Sequence, residues 1–348
     1  MSFLSELFKI RASIALAHQF DKAPTPAIIA FEACVLVFAA VSLLVLARSD
    51  RHVVRKFLVV ALGIFIFEFF TSPMWNNHKL GAWAYVYQDV SWVLTVGWAG
   101  LILCVIACVD RACSGRREWA RFLLYLAALT GIVPILEWML VRLGIRSYSP
   151  EVLASGGRLC GGVPLGVFYY VAVFMALVIS FYRYGSFILL KTPVVPVKRR
   201  KWLRSLLISF LGVFLFELMI EPMVVNAKLP HWSYVYRDIS ILVTGGWIII
   251  VWLAVNLVDT LWIHVDLLGK FLRYLFVIFV VALPIESWLI VHGYRIYGPS
   301  TVSAFSGFVV PVARVPVEIA FAIPFYFALV VSFIKYWEII LDNSNTWR

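Results

Sequence analysis

Apolar residues come in runs of about twenty along almost the whole chain, separated by short polar stretches. Runs of that length fit helices crossing a bilayer core, where every backbone polar group must find its partner inside the segment. They predict nine spans, near 27–47, 57–74, 90–109, 120–143, 163–184, 203–224, 239–258, 269–291 and 315–337. No stretch between them is long enough for a soluble domain, so the expected fold class is an all-α polytopic membrane protein. Ahead of the first span, Glu6, Lys9, Arg11 and Lys22 alternate with Phe3, Leu7, Ile10 and Ile14. That spacing predicts a short amphipathic helix on the membrane surface, not a cleavable signal.

The polar positions carry a second pattern. Residues 64–98 (IFIFEFFTSPMWNNHKLGAWAYVYQDVSWVLTVGW) align without a gap to residues 213–247 (VFLFELMIEPMVVNAKLPHWSYVYRDISILVTGGW), 149 residues further on, with about half the positions identical. Self-similarity at a fixed separation marks an internal repeat. The shared residues are largely polar or aromatic, among them Glu68/Glu217, Asn77/Asn226, Lys79/Lys228, Trp83/Trp232, Tyr85/Tyr234, Tyr87/Tyr236 and Asp89/Asp238. The greasy residues between them have drifted, so packing alone does not account for what is kept. The match extends to G-I-R-S-Y-S-P at 144–150 and G-Y-R-I-Y-G-P at 293–299, to Glu137/Glu286 and to Asp110/Asp259. It continues at Val-Pro 163 and Val-Pro 315, where the separation has grown to 152.

The expected organisation is therefore residues 1–52 with the amphipathic segment and first span, a four-span unit over 53–190, a basic linker over 191–201, and a second four-span unit over 202–348. An even number of spans returns the chain to its starting side. The two units then share one orientation, related by an axis along the membrane normal, as in parallel-repeat transporters.

Composition and charge sharpen this picture. Apolar residues make up 63% of the chain and charged residues 14%, with a mean hydropathy of +0.92, against about a quarter charged in a soluble domain. The net charge is +11. Its cations gather in alternate loops: Arg48, Arg51, Arg55 and Lys56; then Arg111, Arg116, Arg117 and Arg121; then Arg183 and Lys191 to Arg204. The positive-inside rule makes those loops cytoplasmic, with the N-terminus outside and the C-terminus inside. Charges split over separate loops do not form a nucleic-acid face. The five cysteines and six histidines have no ligand or disulfide spacing; neither a metal nor a cofactor is expected.

On this topology nearly all the matched polar residues fall on the exoplasmic side. Glu68 and Glu217 lie among phenylalanines and leucines near the ends of their spans. A carboxylate there must be protonated, paired or facing a wet cavity; it marks a site or an interhelical lock. Glu221 follows Glu217 by four residues where the first copy has Ser72, which puts both acids on one helix face and lets them share a proton. The alternative is a solvated Glu221 at the interface. Asp89 and Asp238 precede apolar runs, as N-caps do, and also suit a counter-charge or base. Trp-x-Tyr-x-Tyr fits either an interfacial belt or the wall of a lipophilic pocket. Asn226, Lys228, Arg295 and Tyr297 supply outer cations and donors, for ion pairs or an anionic head group. Relative to the first half, Ser72, Ala82, Gln88 and Gly166 become Glu221, His231, Arg237 and Glu318, and Arg314 precedes Glu318 by four. The second half has gained ionisable groups and is the expected working copy.

A Glu closing a span inside an aromatic cluster (F-E-F-F, F-E-L-M), followed by an Asp opening the next, resembles the arrangement in fungal integral-membrane terpene cyclases. V-P-I-L-E-W at 133–138 and L-P-I-E-S-W at 283–288 are similar to the P-x-E-E signature of membrane carotenoid cyclases, with the second Glu absent. These resemblances cover short stretches, and they imply acid-initiated chemistry on an isoprenoid. Glu217 with Glu221 would be the acid, Asp238 the counter-charge, and Trp232, Tyr234, Tyr236 and Arg237 the pocket. Glu68, Asp89 and Glu286 complete the candidate acids. The competing classes are a transporter or flippase of a lipid or amphiphile, and a structural subunit of a membrane complex. The expected partners are the bilayer and a lipophilic small molecule; oligomeric state is not legible.

Overall fold

The computed structural model describes residues 22–190 and 201–342; the expected N-terminal amphipathic helix and nearly all of the basic linker lie outside the described residues. Eleven helices follow in order. They are α1 Pro26–Ala47, α2 Val53–Thr71, α3 Trp92–Ala112, α4 Glu118–Arg142, the short α5 Pro150–Ser155, α6 Val167–Leu189, α7 Trp202–Ile220, α8 Ile241–Leu261, α9 Leu267–Val291, the short α10 Pro299–Ser303 and α11 Val317–Asp342. Eight of them are long and apolar enough to cross a membrane. Among the long helices α2 is left out of that set, because Arg55, Lys56 and Glu68 share its 19 residues.

The chain is mostly helical, as expected of an all-α membrane protein, with short strands added at one end. At the end of the molecule that carries the repeated motifs, the chain forms short antiparallel ladders. These use β1 Trp75–Asn77, β2 Tyr85–Tyr87, β3 Val90–Ser91, β4 Arg146–Tyr148, β5 Leu159–Cys160, β6 Val163–Pro164, β7 Val224–Asn226, β8 Tyr234–Tyr236, β9 Ile239–Ser240 and β10 Arg295–Tyr297. β1 pairs with β4 so that Asn77 faces Arg146, and β7 pairs with β10 so that Asn226 faces Arg295.

The caps also differ from expectation. Asp89 and Asp238 do not cap the helices that follow them. Ser91 caps α3 by accepting the Leu94 N–H at 3.4 Å, and Ser240 caps α8 by accepting that of Leu242 at 3.3 Å. The β2–β3 and β8–β9 turns contain the aspartates themselves, and β3 and β9 intervene before the helices start.

Helices α2, α3, α4 and α6 close a ring, each packing on the next and α6 returning to α2; α7, α8, α9 and α11 do the same. The two rings meet along α6 and α11, the most buried of the spanning helices. Helix α1 lies outside, against α3 and α2, tied down by its buried Glu32, whose carboxylate accepts the Gly81 N–H at 2.7 Å. Contacts between the rings are reciprocal at the motif end. Gln88 donates to the Ala304 carbonyl at 3.4 Å and Arg237 to the Ser155 carbonyl at 2.5 Å; both partners of the second bond stand 149 residues from those of the first. Glu151 accepts from both the backbone N–H and the hydroxyl of Ser300, its own counterpart at that separation. Such self-paired contacts are what a two-fold interface makes.

Lipid offers helices no solvophobic drive to associate, so close approach at small residues does much of that work. Gly63 of α2 and Gly212 of α7 face Phe181 and Phe333 on the two central helices; an added Cβ would come within 2.9 and 3.1 Å of those rings. By contrast, a Cβ on Gly245 in α8 would meet nothing within 4 Å. Gly63→Ala should lower stability by about 1–3 kcal/mol through overpacking, whereas Gly245→Ala should be neutral or stabilise by up to about 1 kcal/mol through helix propensity. Thermal unfolding midpoints in detergent test this; equal effects of the two substitutions would refute the close-packed α2–α6 seam.

Candidate functional site

Each ring is closed at the motif end by one buried arginine. Successive side chains on a strand alternate faces, so the Arg-x-Tyr spacing aims both side chains at one target. In the first half Arg146 lies 3.2 Å from Glu137 of α4, and Tyr148 donates its hydroxyl to the same carboxylate at 3.0 Å. In the second, Arg295 lies 3.3 Å from Glu286 of α9, and Tyr297 donates to Glu286. The proline-bearing helices α4 and α9 thus supply carboxylates that neutralise cations delivered by β4 and β10. Glu137, Glu286, Arg146 and Arg295 are all buried. Neighbouring acid holds Arg146 and Arg295 charged and pushes both guanidinium pKa values upward, against the opposing effect of burial.

The halves then diverge. Arg295 also donates to the Asn226 side chain at 2.9 Å and stands 3.8 Å from Glu217. In the first half Arg146 instead lies over the Trp75 ring, 5.6 Å from its centroid, and Glu68 accepts the Thr95 hydroxyl at 2.8 Å.

Around these clusters lie two cavities built from equivalent positions. The second-half cavity is an open cleft of about 1020 Å³, lined by α7, α8, α9 and α11 and by Phe69, Phe70, Tyr87 and Gln88 from the first half. Its first-half counterpart has about 480 Å³. Two exchanges account for much of the difference. Trp75 and Tyr170 project into the smaller cavity; at the matching positions the cleft has Val224 and Ala322. Tyr170 is almost completely buried, at 2% exposure. The cleft wall is otherwise aromatic, with Phe216, Trp247, Tyr326 and Phe327 beside the Glu217–Arg295–Glu286 cluster. The Trp247 Nε1 and Tyr326 hydroxyl are buried without a hydrogen-bond partner. A polar hollow of about 550 Å³ shares Ser72, Pro73, Gln88 and Ala304 with the cleft and adds Asn76, Asp89, Ser149, Ser300 and Ser303. An apolar pocket with a few convergent polar groups and a polar mouth has the character of a small-molecule site.

Several sequence expectations are corrected by this geometry. Glu217 and Glu221 do not form an acid pair: Glu221 stands 3.6 Å from Arg237, and Glu217 3.8 Å from Arg295. Helix α7 ends at Ile220 and Glu221 begins a 3-10 turn, so the four-residue spacing no longer means a common face. Trp232, Tyr234 and Tyr236 do not wall the cleft. Trp232 is 72% exposed, Tyr234 ties its loop by donating to the Asn226 carbonyl at 3.0 Å and accepting the Leu229 N–H, and Tyr236 packs under Arg237. Lys228 donates to the His292 carbonyl at 3.1 Å, at the C-terminus of α9. Asp238 contributes its backbone carbonyl to Asn226. Arg314 does not pair with Glu318, whose carboxylate accepts the Ser306 N–H at 2.6 Å. Glu286, Arg295, Tyr297 and Glu217 do line the cleft. Sequence reasoning missed Trp247, Tyr326, Val224 and Ala322; the last two were legible as large-to-small exchanges between the copies. Among the described residues no group of histidine, cysteine and acidic side chains could hold a metal ion.

Compared with known proteins, the chain matches no family model, and no curated protein or solved structure shows significant similarity to it.

Two predictions follow from the charges. Replacing Arg295 by Met leaves Glu217 and Glu286 buried without a cation, a loss of about 3–5 kcal/mol. The double variant with Glu286→Gln should recover part of that loss in thermal unfolding; an unaltered Arg295→Met midpoint would mean the acids carry no charge. Asp89 is buried in the β2–β3 turn, and desolvation lifts its pKa to about 7 despite the Asn77 N–H bond and nearby Arg146. The native state then keeps this proton well above the unfolded value of 3.8. Its contribution to stability is fully present below that value and lost as pH rises towards 7. Asp89→Asn should flatten this fall, so its thermal midpoint gains on the parent protein between pH 5 and pH 8. Parallel pH profiles would show an ionised Asp89.

Proposed function

We propose that the chain is a nine-span membrane protein of two equally oriented four-span units, and that it binds a lipophilic amphiphile in the second-half cleft at the outer face. The reciprocal contacts across the ring interface support a pseudo-two-fold axis along the membrane normal, and the basic loops support an external motif end. The observation that carries the reading is the contrast between equivalent cavities. The same scaffold is filled by Trp75 and Tyr170 on one side and left open by Val224 and Ala322 on the other. An aromatic chamber below a polar mouth suits a chain-bearing molecule with a polar head.

Of the uses such a site has, carrying a lipid or isoprenoid fits better than acid-initiated cyclisation. That chemistry requires a carboxylic acid free to give its proton. Glu217 and Glu286 share Arg295, and Glu221 has Arg237, so these acids serve as counter-ions. At this cleft the terpene-cyclase and carotenoid-cyclase resemblances then rest on a shared local pattern of acids.

The test is binding of pyrene-labelled dodecanol to the full chain in phosphatidylcholine nanodiscs, with movement of a fluorescent phospholipid between vesicle leaflets as the second readout. Ala322→Tyr and Val224→Trp, which copy the filled side, should weaken saturable binding at least about tenfold, or about 1.4 kcal/mol, in protein that remains folded. Undiminished binding in folded Ala322→Tyr would exclude the cleft. Saturable binding without any leaflet movement would remove the carrier function and keep the binding site.

A further inference from the structure

The cleft also carries information about the charge of its occupant. Its lining holds three carboxylates, from Glu217, Glu286 and Glu318, against the single guanidinium of Arg295. Two of the three are spoken for by that arginine. Glu318 is not: one oxygen accepts the Ser306 N–H, while Oε2 is buried without a partner. An ionised oxygen in that state is costly unless something cationic completes it.

The smaller counterpart lacks this extra acid: its lining has Glu68 and Glu137 with Arg146, and Glu318 corresponds to Gly166 there. At the mouth, Gln88 corresponds to Arg237, and both adopt the same left-handed backbone, with φ of 46° and 45°. Arg237 is already matched by Glu221 at 3.6 Å, so the difference in charge between the two sides is the carboxylate of Glu318. The walls agree with this sign. Tyr87 lines the cleft against Phe69, and Tyr326 against Phe70 and Phe216, and ring faces attract cations. An anionic head group would meet uncompensated acid at Glu318 and a guanidinium already engaged.

Resting on the amphiphile-binding reading, we propose that the occupant is a lipophilic organic cation, an alkyl chain bearing an ammonium or amine head, with Glu318 as its counter-ion and the cleft aromatics as its wall.

Three pyrene-labelled probes of equal chain length test this in phosphatidylcholine nanodiscs: a dodecyltrimethylammonium, dodecanol and a dodecyl sulfonate. The Ala322→Tyr protein supplies the bilayer-partition background to be subtracted. The ammonium probe should bind roughly tenfold more tightly than dodecanol, from a charge pair plus ring contacts, and the sulfonate should bind weakest. Glu318→Gln should abolish the preference. Gln88→Arg, which adds a cation at the half-buried cleft mouth, should reduce it by a separate route should Glu318→Gln fail to fold. Equal binding of ammonium and dodecanol overturns the cation assignment while leaving the amphiphile site standing. Absence of saturable binding by all three overturns both.

Discussion

A guanidinium buried at the end of a membrane helix bundle has to be neutralised on the spot, and that requirement organises each half of this protein. Arg146 and Arg295 arrive on two-residue-period strands, so a tyrosine two positions later reaches the same carboxylate. The carboxylates come from the middle-to-late turns of α4 and α9. The strands are held in place by pairing with β1 and β7, which places an asparagine opposite each arginine. Those loops are in turn pinned by Tyr85 and Tyr234, whose hydroxyls bond the Asn77 and Asn226 carbonyls. Glutamate, asparagine, tyrosine and arginine therefore recur in both halves because one ionic centre cannot be built without the others.

The shared centre explains the repeat; the departures from it explain the cleft. In the first half the space beside the arginine is taken by an indole and a phenol, which recover dispersion contacts that an empty volume forfeits. In the second half that packing is absent, and the Trp247 and Tyr326 polar atoms are left without partners. Such a cavity weakens a bundle. The cavity is larger on one side, beside an otherwise equivalent ring, so the second half leaves unmade packing contacts that the first half makes.

The long apolar helices were legible because they rest on periodicity, which survives in a single sequence. The long apolar runs correspond to helices within a few residues, and the matched motifs occupy matched elements. What was not legible depended on where helices stop and which cation each acid meets. The Glu217–Glu221 spacing implied one face only if α7 continued, but the helix ends at Ile220 ahead of Pro222. Asp89 and Asp238 had the position of caps, yet a two-residue strand intervened and Ser91 and Ser240 took the role. The Trp-x-Tyr-x-Tyr order serves loop closure through its first tyrosine, and only Tyr87 of the first copy reaches the cleft wall. The real wall residues drew no attention because a buried Trp, Tyr or Ala in an apolar run carries no signal until the two copies are compared position by position.

The ring interface is held by different numbers of hydrogen bonds at its two ends. At the basic-loop end the aspartates shared by both halves are locked inside their own rings, Asp110 to Arg183 at 2.8 Å and Asp259 to Lys335 at 2.8 Å. Between rings, Tyr336 donates to Glu118 at 2.6 Å. Along the middle α6 packs directly on α11, while Phe181 and Phe333 fill the notches of Gly63 and Gly212 inside their own rings. At the motif end the rings are joined by a few exchangeable hydrogen bonds, those of Gln88, Arg237 and the Glu151–Ser300 pair. Individually such bonds contribute about 0.5–1.5 kcal/mol, and up to about 3 where a charge is involved. The inter-ring hydrogen bonds thus gather at the motif end, where Gln88 and Ala304 also border the cleft.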